Sequence, residues 1–398
     1  MGITRNIGSL GFANVVYLIG QLGILSLLTN LTDIPTVAAF GYIMAVVQPL
    51  YMLLMMGLRP NLATDISRDF AYGTFLSVQT AASILLVIIS ISIIAIVDVT
   101  LVGLAVPICV MKAVEMHSEL CYGVLQRAGK LGLVARSLLI RAPVLLLCFG
   151  SVLYITNDAH TAFWAQTVVL ILVQMLHDFP AVQDSGEEIS LDMSKDQIFG
   201  LVRNTLHLGV GHFFASLQTN IPRFFVYSSI GVAALSYYTT VSFIQRASVG
   251  LFVTIEQAIG SQLSRLWIGG NRQQFFGGIR KALWVAVMIS VGGLSLAYLI
   301  GEPFLGLVFG PEYTQAYTLL MWISAAIAVR LISSVVQAAL IAQRNFRIFG
   351  IVQTASLITT IPFTVIGIHY YGLDGAGMAV LATTIFRTAC FSAVLYRT

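Results

Sequence analysis

Long apolar runs separated by short polar breaks dominate this chain, and their length decides the element type. A helix needs about 20 mostly apolar residues to cross a hydrocarbon core. Cutting at the polar breaks gives twelve such segments, near 8 to 30, 36 to 58, 73 to 97, 100 to 126, 131 to 155, 161 to 181, 198 to 227, 232 to 262, 278 to 300, 314 to 341, 347 to 369 and 374 to 396. The runs are continuous and lack the ten-residue alternation of barrel strands, so helical spans are predicted throughout. The expected fold is all-α: a polytopic membrane protein with twelve transmembrane helices in two pseudo-symmetric six-helix lobes around a central cavity.

The polar breaks supply an independent check, because loops on the two sides of a membrane differ in Lys and Arg content. Both termini and one set of connections carry basic residues, among them Arg5, Arg59, Arg68, Arg127, Lys130, Arg272, Arg280, Arg344 and Arg347. The opposite set carries only the acids Asp33, Asp98, Asp158, Glu302, Glu312 and Asp374. Both termini are therefore expected on the cytoplasmic side.

Composition excludes a soluble domain: 58% of residues are hydrophobic and only 10% charged, with a mean hydropathy of +0.89. The net charge of +4 matters less than its placement. Cys109, Cys121, Cys148 and Cys390 lie in apolar stretches without metal-like or paired spacing and read as small packing residues. The first apolar stretch lacks an A-x-A cleavage pattern, so it is expected to be a retained span.

The longest connection, VQDSGEEISLDMSKDQ, separates an N-lobe at 1–182 from a C-lobe at 198–398, with 183–197 as a cytoplasmic linker. A weak repeat relates the halves. LQRAGKLGLVARSLL after span four resembles AQRNFRIFGIVQTAS after span ten, and Lys112 falls within one position of Arg330 on the same offset. Two six-span halves of the same orientation make a parallel repeat, in which substrate is expected near the midplane.

Six cations, Lys112, Arg141, Arg223, Arg246, Arg330 and Arg387, interrupt the predicted spans. A charge at the bilayer centre costs at least ~2.5 to 3.5 kcal/mol, so such residues face protein or a hydrated pathway. Counting residues from the loops places Lys112, Arg246 and Arg330 near mid-depth, Arg141 and Arg387 in the inner half and Arg223 nearer the outside. Ion pairing within a lobe is the competing role for any one of them. Lys112 and Glu115 share a helical stripe with Glu119, Tyr122 and Gln126, so the first two are expected to pair. The acids available inside spans are only Glu115, Glu119, Asp178 and Glu256. At least two of the six cations are then left for an anion such as phosphate or carboxylate.

Two polar stripes suggest further contacts, either with substrate or between helices. His212, Ser216, Thr219 and Arg223 recur on one face of span seven with Asn220 beside them, and Asn14, Tyr17 and Gln21 do so in span one. His207 and His212, five apart, do not share a face, so a metal pair is not expected. No Gly-rich phosphate loop with Lys is present, which argues against an ATPase.

These residues resemble a known family. GLRPNLATD at 57–65, KAVEMHSELCYG at 112–123, LQRAGKLGLVARSLLIR at 125–141, SLQTNIPRFF at 216–225 and VFGPEYTQA at 308–316 are similar to polysaccharide and O-antigen-type oligosaccharide-lipid flippases of the multidrug/oligosaccharidyl-lipid/polysaccharide exporter superfamily. The resemblance implies movement of an undecaprenyl-diphosphate-linked glycan from the cytoplasmic to the periplasmic leaflet of a bacterial inner membrane by alternating access. For such a substrate the cations inside the spans, Arg223, Arg246, Arg330, Lys112, Arg141 and Arg387, are the expected diphosphate contacts, and the polar stripes offer Asn14, Tyr17, Gln21, His212 and Asn220 as the expected glycan contacts. Lys112, Glu115 and Glu119 match the family pattern in span four and Arg223 the Arg after Asn-x-Pro; Arg246, Arg330 and Arg387 rest on depth alone. Glu115, Glu119 and Glu256 are candidates for proton or sodium coupling, with a salt bridge the alternative for Glu115. No cofactor is implied, and other membrane proteins of polysaccharide assembly are conceivable partners. The rival readings are a multidrug cation antiporter of the same superfamily, against which span one lacks an acid, and a glycan polymerase or ligase, for which the outer loops are short.

Overall fold

The structure is a computed structural model describing the backbone of residues 2–65, 67–343 and 346–397; side chains are described for these except 2–7, 249–251, 253–258, 261, 346–349 and 396–397. The expected coupling residue Glu256, and the basic residues Arg5, Arg344, Arg347 and Arg397, therefore have side chains outside the described residues. The chain divides into two compact units, 1–217 and 218–398.

In the first unit, α1 (Gly2–Leu31), α2 (Ile34–Met55), α4 (Tyr72–Val97), α5 (Val102–Arg127), α6 (Leu131–Thr156) and α7 (Ala159–Val173), which is prolonged by a π-helical turn into α8 (Phe179–Gln183), are the six spans; α3 (Leu58–Thr64) is a short extra helix. Three of their starts are set by acids of the sequence pattern. Asp33 accepts from the Thr36 amide at 3.1 Å, Asp98 from the Thr100 amide at 2.9 Å and Asp158 from the Thr161 amide at 3.0 Å. Each caps a helix end that would otherwise leave amides unpaired, a contribution of about 1 kcal/mol per cap. These hydrogen bonds, chiefly from Thr161, hold the Asp158 carboxyl below the usual carboxylate range. These three acidic loops thus have a structural task as helix caps.

Small residues let the first-unit helices approach. Gly20 lies against the backbone of Ala142, where a Cβ would meet the carbonyl oxygen at 3.2 Å, so α1 packs along α6. Met56 and Gly57 both adopt left-handed backbone (φ 46 and 63), and this turn ends α2 and redirects the chain into α3. The polar break after span two thus begins as a bend followed by a helix, and α3 packs on α5.

The unit boundary falls inside α9 (Lys195–Ser229). In the second unit, α10 (Val232–Ile268), α11 (Arg272–Phe309), α12 (Tyr317–Ala342) and α13 (Phe346–Arg397) follow. Gly372, at φ 56 and ψ −133, breaks α13 into two spans, as a residue without Cβ can. Among the described residues nine helices are long and apolar enough to cross a membrane, α13 being counted once. Dividing α13 at Gly372 and adding the more polar α9 and α10 gives the twelve spans of the sequence pattern. Helix α12 packs against α10, α11 and α13. Their shared core includes Phe252, Phe275, Val335, Leu340 and Phe391, each under 5% exposed.

Candidate substrate-binding site

The first unit pairs its buried charges. Lys112 Nζ donates to Glu115 Oε2 at 2.6 Å, one turn along α5, and lies 5.8 Å from the centre of the Tyr51 ring. Arg59, delivered by the Met56–Gly57 turn, donates to Glu119 at 2.6 Å. Arg141 on α6, 3% exposed, bonds Asp178 and also donates to Ser118 Oγ at 2.6 Å. His177 adds a contact to the other Asp178 oxygen at 3.0 Å. Tyr122 lies between the two arginines, its ring centre 5.5 Å from each guanidinium carbon. Tyr17 stands within electrostatic reach of Glu115, Glu119 and Arg141. Two expected diphosphate ligands, Lys112 and Arg141, and two expected coupling acids, Glu115 and Glu119, are thus joined in one ion-paired interior with Tyr17.

Sequence reading anticipated the Lys112–Glu115 pair but not the role of Arg59. Counting along the chain assigned Arg59 to the inner loop, whereas the turn carries it back beside α5. The available signal was the Gly57 that permits the left-handed turn, next to a cation inside the 57–65 pattern.

The second unit handles its cations differently. It has eleven basic and four acidic residues, a formal balance of +7, whereas the first has ten and thirteen, a balance of −3. Every ion pair seen between described side chains falls in the first unit. Arg223, 2% exposed, donates through Nη1 to Asn220 Oδ1 and through Nη2 to Ser242 Oγ, both at 2.8 Å. Both of these hydrogen-bond partners are neutral. Arg246, also within electrostatic reach of Arg223, has its guanidinium 5.4 Å from the centre of the Phe243 ring and pairs with no carboxylate among the described residues. Arg330 on α12 faces the Phe252 ring at 5.9 Å, and Arg387 on α13 is 8% exposed.

Two like charges near one another, with no carboxylate paired to either among the described residues, raise the potential in their surroundings. In low dielectric that field favours an anion strongly. A guanidinium also presents donors in a fork suited to phosphate oxygens.

The expected glycan residues have several fates. Asn220 is committed to Arg223. Asn14 is exposed and donates to its own helix at Leu10 O, 3.0 Å away. Gln21 is half-buried, and His212, in the first-unit part of α9, is exposed. A residue missed in the sequence is Ser242, whose hydroxyl completes the Arg223 cradle from α10.

The chain folds as a polytopic helical membrane protein. No family model matches the chain. It is 20% identical over 389 residues, 95% of each chain, to the capsular polysaccharide biosynthesis protein CapF of Staphylococcus aureus. Its fold is similar to that of a multidrug resistance MATE family transporter of the MOP superfamily, solved in an inward-facing conformation (TM-score 0.76, 15% identity, 97% and 96% of the two chains covered). The lipid II flippase MurJ in an inward closed conformation is similar as well (TM-score 0.73, 14% identity, 99% and 88% covered). So is a mutant of the Vibrio cholerae MATE transporter VcmN (TM-score 0.66, 12% identity, 100% and 97% covered).

Proposed function

We propose that this chain is a flippase that carries an undecaprenyl-diphosphate-linked oligosaccharide, such as a repeat unit of O-antigen or another surface polysaccharide, from the cytoplasmic to the periplasmic leaflet of a bacterial inner membrane. Residues 1–182 and 198–398 act as its two lobes, linked through 183–197, and both termini are cytoplasmic. The observation that carries the reading is the second unit's arginine pair, which meets no carboxylate among the described residues: Arg223, fixed by Asn220 and Ser242, and Arg246 within its electrostatic reach. A diphosphate supplies the missing negative charge, and its prenyl chain can remain in lipid. The likeness to a capsular polysaccharide biosynthesis protein and the fold of a lipid II flippase support the same substrate class.

The fold likeness to MATE transporters favours a second reading, a drug-cation antiporter. A cationic drug needs an available carboxylate, yet Glu115, Glu119 and Asp178 each already contact a basic residue. The anionic substrate therefore has the stronger support.

The test is a reconstituted flipping assay with undecaprenyl-diphosphate oligosaccharide, run beside pyrophosphate binding to purified protein. The Arg223→Gln/Arg246→Gln double variant is expected to lose both while remaining folded. Undiminished flipping by that variant overturns the reading, as does extrusion of an organic cation by a protein that does not bind pyrophosphate.

A further inference from the structure

Helix α10 turns a polar face toward Arg223. Ser242, which accepts from Arg223 at 2.8 Å, lies one turn after Tyr238 and one turn before Arg246. Thr239 falls in the same sector, because a helix advances ~100° per residue. Depth agrees with this register: Arg223 stands six residues before the end of α9 at Ser229, and Tyr238 six residues after the start of α10 at Val232. Both are about 9 Å from the turn that joins the helices. Tyr238 is also within electrostatic reach of Arg223.

Four polar atoms on these two helices are buried and have no hydrogen-bond partner among the described residues: Arg223 Nε, Arg246 Nε, Tyr238 Oη and Thr239 Oγ1. Tyr238 is 1% exposed and Thr239 0%. Comparable hydroxyls elsewhere in the chain are paired. Buried Tyr122 meets Ser137 at 2.9 Å, and buried Tyr313 meets Ser236 at 2.8 Å. Thr240, the next residue along α10, donates to the Ser236 carbonyl at 3.0 Å, the back-bond open to any helical Thr. Thr239 forgoes it. A buried polar group without a partner is costly to the fold, and here four fall on one short stretch of α9 and α10.

The chemistry of these atoms selects the ligand. A guanidinium N–H can only donate, and each hydroxyl has a proton to give. A ligand that serves them all must bring several acceptors and negative charge, as phosphate oxygens do; a sugar hydroxyl brings few acceptors, and a cationic amine is repelled. We propose that Tyr238 and Thr239 are further ligands of the anion held by Arg223 and Arg246, their hydroxyls donating to the phosphate oxygens whose charge the arginines neutralise. The inference rests on the flippase reading and deepens it by adding neutral donors to the diphosphate site. Such hydroxyls recognise acceptor oxygens without adding charge, so their removal weakens binding while the local field is unchanged.

Removing an unpaired buried hydroxyl and removing a paired one act in opposite directions on the unliganded protein, and adjacent threonines provide the matched test. Full-length purified protein is titrated with pyrophosphate by calorimetry, and its thermal unfolding is followed without ligand. Tyr238→Phe and Thr239→Val are each expected to weaken pyrophosphate binding about tenfold, the factor matched by ~1.4 kcal/mol of affinity. Their unliganded unfolding temperatures should stay level or rise. Thr240→Val, which loses a paired hydroxyl, should unfold at a lower temperature and bind pyrophosphate as wild type does. Wild-type affinity in either Tyr238→Phe or Thr239→Val overturns the inference, as does a fall in their unliganded unfolding temperature like that of Thr240→Val. Either result leaves the flippase reading in place, since wild-type protein still binds pyrophosphate. Wild-type protein that binds none overturns both.

Discussion

Arg223 and Asn220, one turn apart on α9, are joined by a 2.8 Å bond from guanidinium Nη1 to amide Oδ1. The amide fixes the cation without neutralising it. A carboxylate in the same place would have cancelled the charge, as Asp178 does for Arg141. The second unit thus keeps its field available while satisfying two of the buried donors, at a desolvation cost that only a bound anion offsets fully.

Arg223→Lys should separate geometry from charge. The ammonium keeps the charge but lacks the planar fork that reaches Asn220 and Ser242 together. Pyrophosphate binding is expected to weaken about tenfold to hundredfold, in line with ~1.5 to 3 kcal/mol for a charge-assisted hydrogen bond. Calorimetric titration checks this, with Asn220→Ala expected to give a smaller loss.

The Arg141–Asp178 pair should behave as a structural element of the first unit. Both side chains are at most 3% exposed, so Asp178→Asn leaves an uncompensated cation and should destabilise by about 3–5 kcal/mol. Arg141→Met/Asp178→Leu is expected to recover most of that loss, as removing both charges removes their desolvation. Thermal unfolding in one detergent, arranged as a double-mutant cycle, gives the comparison. A double variant as unstable as Asp178→Asn would mean the pair has more than a charge-balancing role.

The linker after α8 is clasped to the first unit. Glu187 bonds Arg127 at 2.8 Å and Arg68 at 3.2 Å, and Asp192 accepts from Thr74 Oγ1 at 2.7 Å. That last bond, with one from the Ser194 amide, holds the Asp192 carboxyl below its ordinary range. A carboxyl depressed on docking favours the docked linker at pH above its undocked value, and the contribution is lost as pH falls through the docked value. Amide exchange in residues 186–194 should therefore accelerate in acid, below the ordinary Asp range of ~3.9. Thr74→Val should begin that acceleration at a higher pH than wild type.

Gly375 should tolerate nothing larger. A Cβ there would lie 1.9 Å from the Gly367 carbonyl oxygen, across the bend at Gly372. Backbone cannot yield as a flexible side chain does, so Gly375→Ala is expected to abolish recovery of folded protein. Gly350→Ala, with open space around it, should express normally. Monodispersity on size exclusion is the readout.

Much of this architecture was legible in the residues. The apolar runs placed the spans, because hydrocarbon demands a continuous apolar helix whatever its neighbours. The stripe of Lys112 and Glu115 predicted their bond, because both lie on one helix and periodicity alone brings them together. Arg59 and Asp178 were less legible. Their partners are 60 and 37 positions away, and a left-handed turn and a π-helical turn respectively stand beside them. No periodicity reports such a turn, since it is a local departure from the period.

What the sequence determined by itself was the medium and the accounting: a bilayer protein, twelve apolar helices, acids at one set of loop ends and more buried cations than buried acids. Solvation physics imposes these through composition and spacing. What only tertiary structure decided was which cations are neutralised. Ion pairing requires side-chain atoms within about 4 Å, and helix packing and backbone turns set that distance, not position along the chain. Packing gave Arg141 and Arg59 to carboxylates, and it gave Arg223 to an amide and a hydroxyl.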